Sequence, residues 1–211
     1  MAASPPTVLL LVRHAATPTT GSVLPGRARG LHLSEEGRRQ AEAAAERIGR
    51  LKNVAAVYAS PLERARETAA AIGRRLGRVV RIEPGLLELD VGRFTGLKLS
   101  EARRRPEWEQ VQRHPSGFRF PGGESFVEMQ ARITRTLERL AARHRGRVVV
   151  AVSHADPIKA AVAHALGTPL DLFQRIVVAP ASITAIAVGA EGPAVLTVNW
   201  LDGHRDGLGI R

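Results

Sequence analysis

Arg13 and His14 stand directly behind an apolar, β-branched run, Val8–Val12. Such a run reads as a strand buried on both faces, and in an open α/β sheet ligands bind beyond the carboxyl ends of the strands. Arg64 at the start of a helix, Glu88 beyond a third strand and His154 beyond a fourth have the same kind of address. If those ends share one edge of the sheet, two arginines, two histidines and one carboxyl group meet in a single pocket. That pocket is cationic and has one group able to handle a proton, which is equipment for phosphoryl transfer without a metal. A neutral imidazole, with an ordinary pKa of about 6.5, can attack phosphorus near neutrality without pushing one anion against another. A covalent route follows, in which phosphohistidine forms and water then hydrolyses it. Taken singly, each residue has a plainer explanation, as a polar strand end, a turn carboxylate or a helix-surface cation; the constellation is what argues for chemistry.

The elements that must position these groups can be read in order. After the first strand, residues 18–33 are rich in Gly, Pro and Thr and read as a loop. Ser34 is a good N-cap for a helix to about Leu51, with Glu35 and Glu36 in its first turn. A strand over 53–59, a helix over 62–76 and a strand over 79–83 follow. Residues 92–123 differ in character, with many Gly, Pro and Arg, and read as an excursion with a short helix that caps the sheet's edge. Ser125 and Glu128 fit a capping box for a long helix to about Arg143. The fourth strand spans 147–152, and a further helix runs roughly from Pro157 to Leu166. Residues 182–188 and 194–200 form a hairpin around a 189–193 connection, and the Gly-rich tail from Leu201 frays. The fold class is α/β: one three-layer domain over 1–211, with a mostly parallel sheet, helices on both faces and a cap insertion at about 92–123.

Composition narrows the function classes. The chain has 211 residues, enough for one sizeable core. Aromatic residues are only 4%, so aliphatics and alanine are expected to fill the interior. There is no cysteine, hence no disulfide framework and no thiolate metal site. The remaining histidines, His32, His114, His144, His164 and His204, show no ligand-like spacing, so neither metal nor cofactor is assigned. No apolar run approaches the roughly 18–20 residues that span a bilayer. The N-terminus lacks a basic stretch before its short apolar run and is not read as a signal peptide, which makes the cytoplasm the default location. The net charge of +11 invites a nucleic-acid partner. The charge is scattered arginine without aromatic stacking platforms, however, so steering of a small anionic substrate explains it better. A homodimer is left open.

Four segments, LVRHAAT at 11–17, YASPLERARETA at 58–69, LLELDVGRFTG at 86–96 and VVAVSHADPIKA at 149–160, resemble the histidine phosphatase superfamily, the phosphoglycerate-mutase-like enzymes. LSEEGRRQA at 33–41 and PGGES at 121–125 are further family-like patches. The resemblance implies that His14 is the phosphorylated nucleophile and that Arg13 and Arg64 hold the phosphate oxygens. It also implies that His154 donates to one of those oxygens, and that Glu88 protonates the leaving oxygen and later activates water. The chain departs from the family pattern at three places. Ala15 stands where Gly is common, and Thr20, a candidate phosphate-binding residue, where mutase-like members often carry an Asn that bonds the phosphate or the substrate. Ala155 replaces the aspartate that serves as proton donor in the acid-phosphatase branch; Asp156, one step on, is expected to face away from the leaving group.

The resulting expectation is a phosphomonoesterase acting on a small phosphorylated metabolite. A phosphoglycerate-type mutase is the alternative, and a non-catalytic phosphate-binding module is a weaker one, because neither nucleophile nor acid is missing. Specificity should reside in the cap, where Arg103, Arg113, His114 and Arg119 are candidates to meet a second anionic group. The same cations on a helix would commonly face solvent.

Overall fold

The computed structural model describes residues 5–201; the tail beyond Leu201 lies outside them. Six strands, β1 (Thr7–Arg13), β2 (Val54–Ala59), β3 (Val80–Ile82), β4 (Val148–Ser153), β5 (Ile183–Gly189) and β6 (Gly192–Trp200), form one sheet. Their order is β3-β2-β4-β1-β5-β6. The first four are parallel, while β5 runs antiparallel to β1, and β6 to β5.

The uninterrupted apolar run of β1 follows from burial on both sides. Val8, Leu10 and Val12 point to one face, where they pack with helices α1 (Glu35–Gly49) and α2 (Glu63–Leu76). Leu9 and Leu11 point to the other, packing with α5 (Phe126–Arg143) and α6 (Ala155–Ala165). The cap insertion joins this second face. It holds two short helices rather than one, α3 (Leu99–Ala102) and α4 (Glu107–Arg113).

The helix ends follow local chemistry. Ser34 caps α1 by accepting a hydrogen bond from Gly37 N, and Ser125 with Glu128 forms the reciprocal box at the start of α5. Helix α6 begins two residues earlier than its sequence suggests, because Pro157 falls in the first turn, where no intrahelical N–H is needed. The hairpin is also tighter. Gly189 pairs with Gly192, leaving only Ala190 and Glu191 to turn, and Pro193 is tolerated on the edge strand.

The two faces are packed with different side chains. Alanines dominate the α1/α2 face, among them Ala41, Ala44, Ala45, Ala65 and Ala69. All five phenylalanines of the chain belong to the other face. Phe120 lies 5.3 Å from Phe94, 5.0 Å from Phe118 and 5.6 Å from Phe126, centroid to centroid, and Phe126 lies 5.4 Å from Phe173. Aliphatics and alanine fill most of both faces, as expected, and the phenylalanines gather on this one. The irregular cap is anchored by aromatic edges.

Candidate active site

Sheet order brings the first and last motifs together. β1 and β4 are neighbours, Arg13 is in register with Ser153, and His14 N donates to Ser153 O at 2.9 Å. The residues that follow, His14 and His154, therefore emerge side by side, with ring centroids 5.1 Å apart. Ser153 Oγ donates to Leu86 O at 2.8 Å and ties the end of β4 to the turn that leads into Glu88.

His14 is buried, and its Nδ1 lies 2.8 Å from the carbonyl oxygen of Ala15. A carbonyl only accepts, so Nδ1 carries the proton and Nε2 keeps its lone pair. Burial, helped by the nearby Arg64 charge, depresses the His14 pKa to about 3, so the ring is neutral at physiological pH. The loop bearing it is pinned from the α2 side, where Thr68 Oγ1 accepts from Ala15 N at 3.0 Å and donates to Arg64 O at 2.8 Å. Gly37 of α1 packs against the same loop. A Cβ there would lie 1.9 Å from Ala16 O, which accounts for the glycine in LSEEGRRQA.

Arg64 is wholly enclosed, with Nη2 donating to Gly26 O at 2.7 Å and Nη1 to Ala28 O at 3.3 Å. Gly26 has φ +46°, and a Cβ would meet Val91 Cγ2 at 2.6 Å, so only glycine presents this carbonyl. Arg13 is held by Nη1 to Val178 O at 2.8 Å. Each guanidinium leaves a buried Nε without a hydrogen-bond partner. His154 is enclosed too, with Nε2 2.8 Å from Ser60 Oγ. Ser60 Oγ also accepts from Leu62 N and has its own proton to offer His154 Nε2; in the tautomer that takes it, the buried, unpartnered Nδ1 is an N–H donor. Burial, with His14 next, lowers the His154 pKa well below the ordinary value. Three buried nitrogens without hydrogen-bond partners, on Arg13, Arg64 and His154, are grouped near one neutral imidazole, an arrangement suited to a tetrahedral oxyanion.

Glu88 completes the group. Its Oε1 accepts from Leu89 N at 2.9 Å, and Oε2 has no such bond. The residue keeps some surface open to the cavity, yet protein atoms surround its carboxyl group. That burial, reinforced by the nearby Asp156, raises its pKa to about 7 against the opposing pull of Arg64 and Arg13. The carboxyl group can therefore both hold and release a proton near neutrality.

Arg13, His14, Thr17, Thr20, Glu88 and Asp156 line a cavity of about 480 Å³, which the cap closes with Leu99, Arg103, Trp108, Val111 and Phe120. A family model for the histidine phosphatase superfamily (branch 1) matches residues 9–201. The chain belongs to the histidine phosphatase superfamily. Phosphoserine phosphatase 1 of Hydrogenobacter thermophilus is 32% identical over 196 residues, covering 90% of this chain and 91% of that protein. A bifunctional protein of Mycobacterium tuberculosis is 35% identical over 194 residues, covering 89% of this chain. The chain spans 52% of that relative, about half its length. Among solved structures, a mycobacterial glucosyl-3-phosphoglycerate phosphatase superposes with a TM-score of 0.82 at 30% identity, covering 92% of this chain and 99% of its own.

Within this superfamily member, the cap cations separate. Arg103 lines the cavity. Arg113, His114 and Arg119 are not among its lining residues; they pair with Glu109, Asp171 and Glu128 and are largely exposed. The Arg113 pair is an i,i+4 contact along α4, so local partners on the outer surface claim these charges. Thr20 reaches the cavity, but its Oγ1 accepts from Thr17 N at 2.8 Å, which makes it part of a turn. Asp156 corrects an expectation. It stands in the first turn of α6 as expected, but that turn faces the cavity and Glu88 rather than away. Ser60 and Thr68, adjoining His154 and Ala15, had no sequence signal of their own beyond lying inside YASPLERARETA.

Proposed function

We propose that this chain hydrolyses small phosphomonoesters through a phosphohistidine on His14 Nε2. The observation that carries this reading is the His14 Nδ1–Ala15 O hydrogen bond, which leaves Nε2 as a neutral nucleophile beside Arg13. In the first step, Nε2 attacks phosphorus and the bond to the ester oxygen breaks. Arg13, Arg64 and the His154 Nδ1–H take up charge on the equatorial oxygens, while Glu88 gives its proton to the departing alkoxide. In the second step the Glu88 carboxylate takes a proton from water, which attacks phosphorus, and neutral His14 leaves.

Hydrolysis rather than mutase chemistry is supported by the phosphatases among the relatives, which include a metal-independent phosphoserine phosphatase of Arabidopsis thaliana, 36% identical over 161 residues. The carbon body of the substrate would lie against Leu99, Trp108, Val111 and Phe120. Arg103 is the cap cation free to meet a further anionic group, whereas Lys159 is engaged by Asp156 and Gln174. No helix among the described residues is long and apolar enough to cross a membrane, and with no cysteine to call for an oxidising compartment we place the enzyme in the cytoplasm.

Rapid quenching with a labelled phosphomonoester, followed by peptide mapping, tests this reading. Acid-labile label on His14, abolished in His14→Ala together with turnover and unaffected by EDTA, is the expected result. Label on His154 or on a serine would overturn it, as would activity lost in EDTA and restored by a divalent ion.

A further inference from the structure

Glu88 sits on a segment without regular structure, between two 3-10 turns at Pro84–Leu86 and Gly92–Phe94. No strand ladder satisfies its backbone carbonyls, so other groups must. Two arginines do so. Arg132 on α5 donates from Nη1 to Gly85 O at 2.9 Å and to Leu87 O at 2.8 Å, and from Nη2 to Glu88 O at 3.4 Å. Arg27, from the loop after β1, donates from Nε to the same Glu88 O at 2.9 Å.

A single carboxylate holds both. Arg132 meets Glu124 in a bidentate pair, Nε to Oε1 and Nη2 to Oε2, each 2.9 Å, and Arg27 Nη2 reaches Oε2 at 2.9 Å. Asp90 N donates to that Oε2 at 3.4 Å, and Glu124 N donates to Asp90 O at 2.9 Å. The side chain of Glu124 is 13% exposed, so the carboxylate at the centre of the network is largely out of water, while Arg27 and Asp90 are about a third exposed. Arg27 also pairs with Asp90 at 3.5 Å, and two guanidinium groups thus face two carboxylates. The balance of charge means that the network supplies geometry rather than a net field. Glu124 lies in the PGGES patch where the cap returns to α5, so one side chain staples cap, first loop and helix to the backbone of Glu88.

We propose that Glu124 is a positioning residue. Through Arg27 and Arg132 it fixes the backbone carrying Glu88, keeping the carboxyl group within reach of the leaving oxygen. This rests on Glu88 being the proton donor. A misplacement of about 1 Å can cost on the order of a hundredfold in rate, but only in a step that needs the misplaced group.

The test uses Glu124→Gln, Glu88→Gln and the double variant, with phenethyl phosphate and p-nitrophenyl phosphate as substrates. Phenethoxide is a strongly basic leaving group that needs a proton; p-nitrophenolate is not. Glu124→Gln should slow phosphoenzyme formation from phenethyl phosphate by about tenfold or more and from p-nitrophenyl phosphate by less than about threefold. Competitive inhibition by inorganic phosphate should be unchanged. In the Glu88→Gln background, Glu124→Gln should add nothing with phenethyl phosphate. Equal losses on both substrates, additivity in the double variant, or no loss at all would each overturn the positioning role. If Glu88→Gln itself shows no leaving-group asymmetry, the proton-donor assignment fails and the positioning role fails with it. Should Glu124→Gln not fold, Arg27→Gln decides, since it removes one donor to Glu88 O and leaves the Arg132–Glu124 pair intact. The same asymmetry is expected there, and its absence counts against the proposal.

Discussion

The two faces of the sheet contribute differently to the site. On the α1/α2 face, small alanines let the helices approach the sheet and the loop after β1 closely, and Arg64 and Thr68 come from α2. Every group on that side is anchored to backbone: Arg64 to Gly26 and Ala28, Thr68 to Ala15 and Arg64. On the opposite face the phenylalanines anchor an irregular insertion, and from that side come Glu88, Asp156, Arg103 and Trp108. In the proposed mechanism the first face supplies Arg64 and the support of the His14 loop, and so acts on the phosphoryl group common to all substrates. In the same proposal the other face supplies the groups that meet the leaving oxygen and the carbon body, which differ between substrates.

This division can be broken by experiment. The largest effect belongs to the alanine face. Arg64→Lys keeps a charge but loses the fork that bonds two carbonyls and still presents Nε, and kcat should fall by about 10²–10³. The loss should be equal for phenethyl and p-nitrophenyl phosphates; a loss confined to one of them would show that the faces are not functionally separate.

The next effect is a pH dependence from the other face. Glu88, with its pKa raised to about 7, must be protonated to act as the acid. The rate of phosphoenzyme formation from an alkyl phosphate should therefore fall about tenfold per pH unit above that value. With p-nitrophenyl phosphate that limb should vanish. Hydrolysis of the phosphoenzyme, which uses the carboxylate, should show the opposite slope and fall below pH 7. His14, held down to about 3, should add no acid limb until the pH nears that value. Burst amplitudes and rates measured across pH with both substrates check all of this, and a shared alkaline limb would count against Glu88 as donor.

The smallest effect sharpens the boundary of the cap. Arg113→Gln alters an exposed helix pair away from the cavity lining, and kcat and KM should stay within about twofold of the parent on any phosphomonoester. A selective rise in KM for substrates with a second anion would return Arg113 to the site.

Much of the core was legible because its signals are local. A run of apolar residues ending in Arg13-His14 marks a buried strand and its carboxyl end without reference to the rest of the chain. Ser34 and the Ser125/Glu128 box mark helix starts for the same reason. The cap cations were less legible: Arg103 and Arg113 look alike in sequence, and only the direction each faces separates a cavity residue from a surface one. The direction of Asp156 was not legible because its place in the first turn of α6 does not say which way that turn faces; the packing of α6 beside the Glu88 segment decides it.

The sequence by itself determined which groups stand at the ends of strands and helices, and the family to which their order points, since hydrophobic pattern and capping act over a few neighbouring residues. Only the tertiary structure decided that β1 and β4 lie side by side, so that His14 meets His154. It alone assigned the proton of His14 to Nδ1, through one carbonyl at 2.8 Å. It alone joined Arg27, Glu124 and Arg132 around the Glu88 carbonyl. Arg27 and Glu124 are separated by 97 positions, and hydrogen bonds across such distances leave no periodicity or spacing behind in the chain.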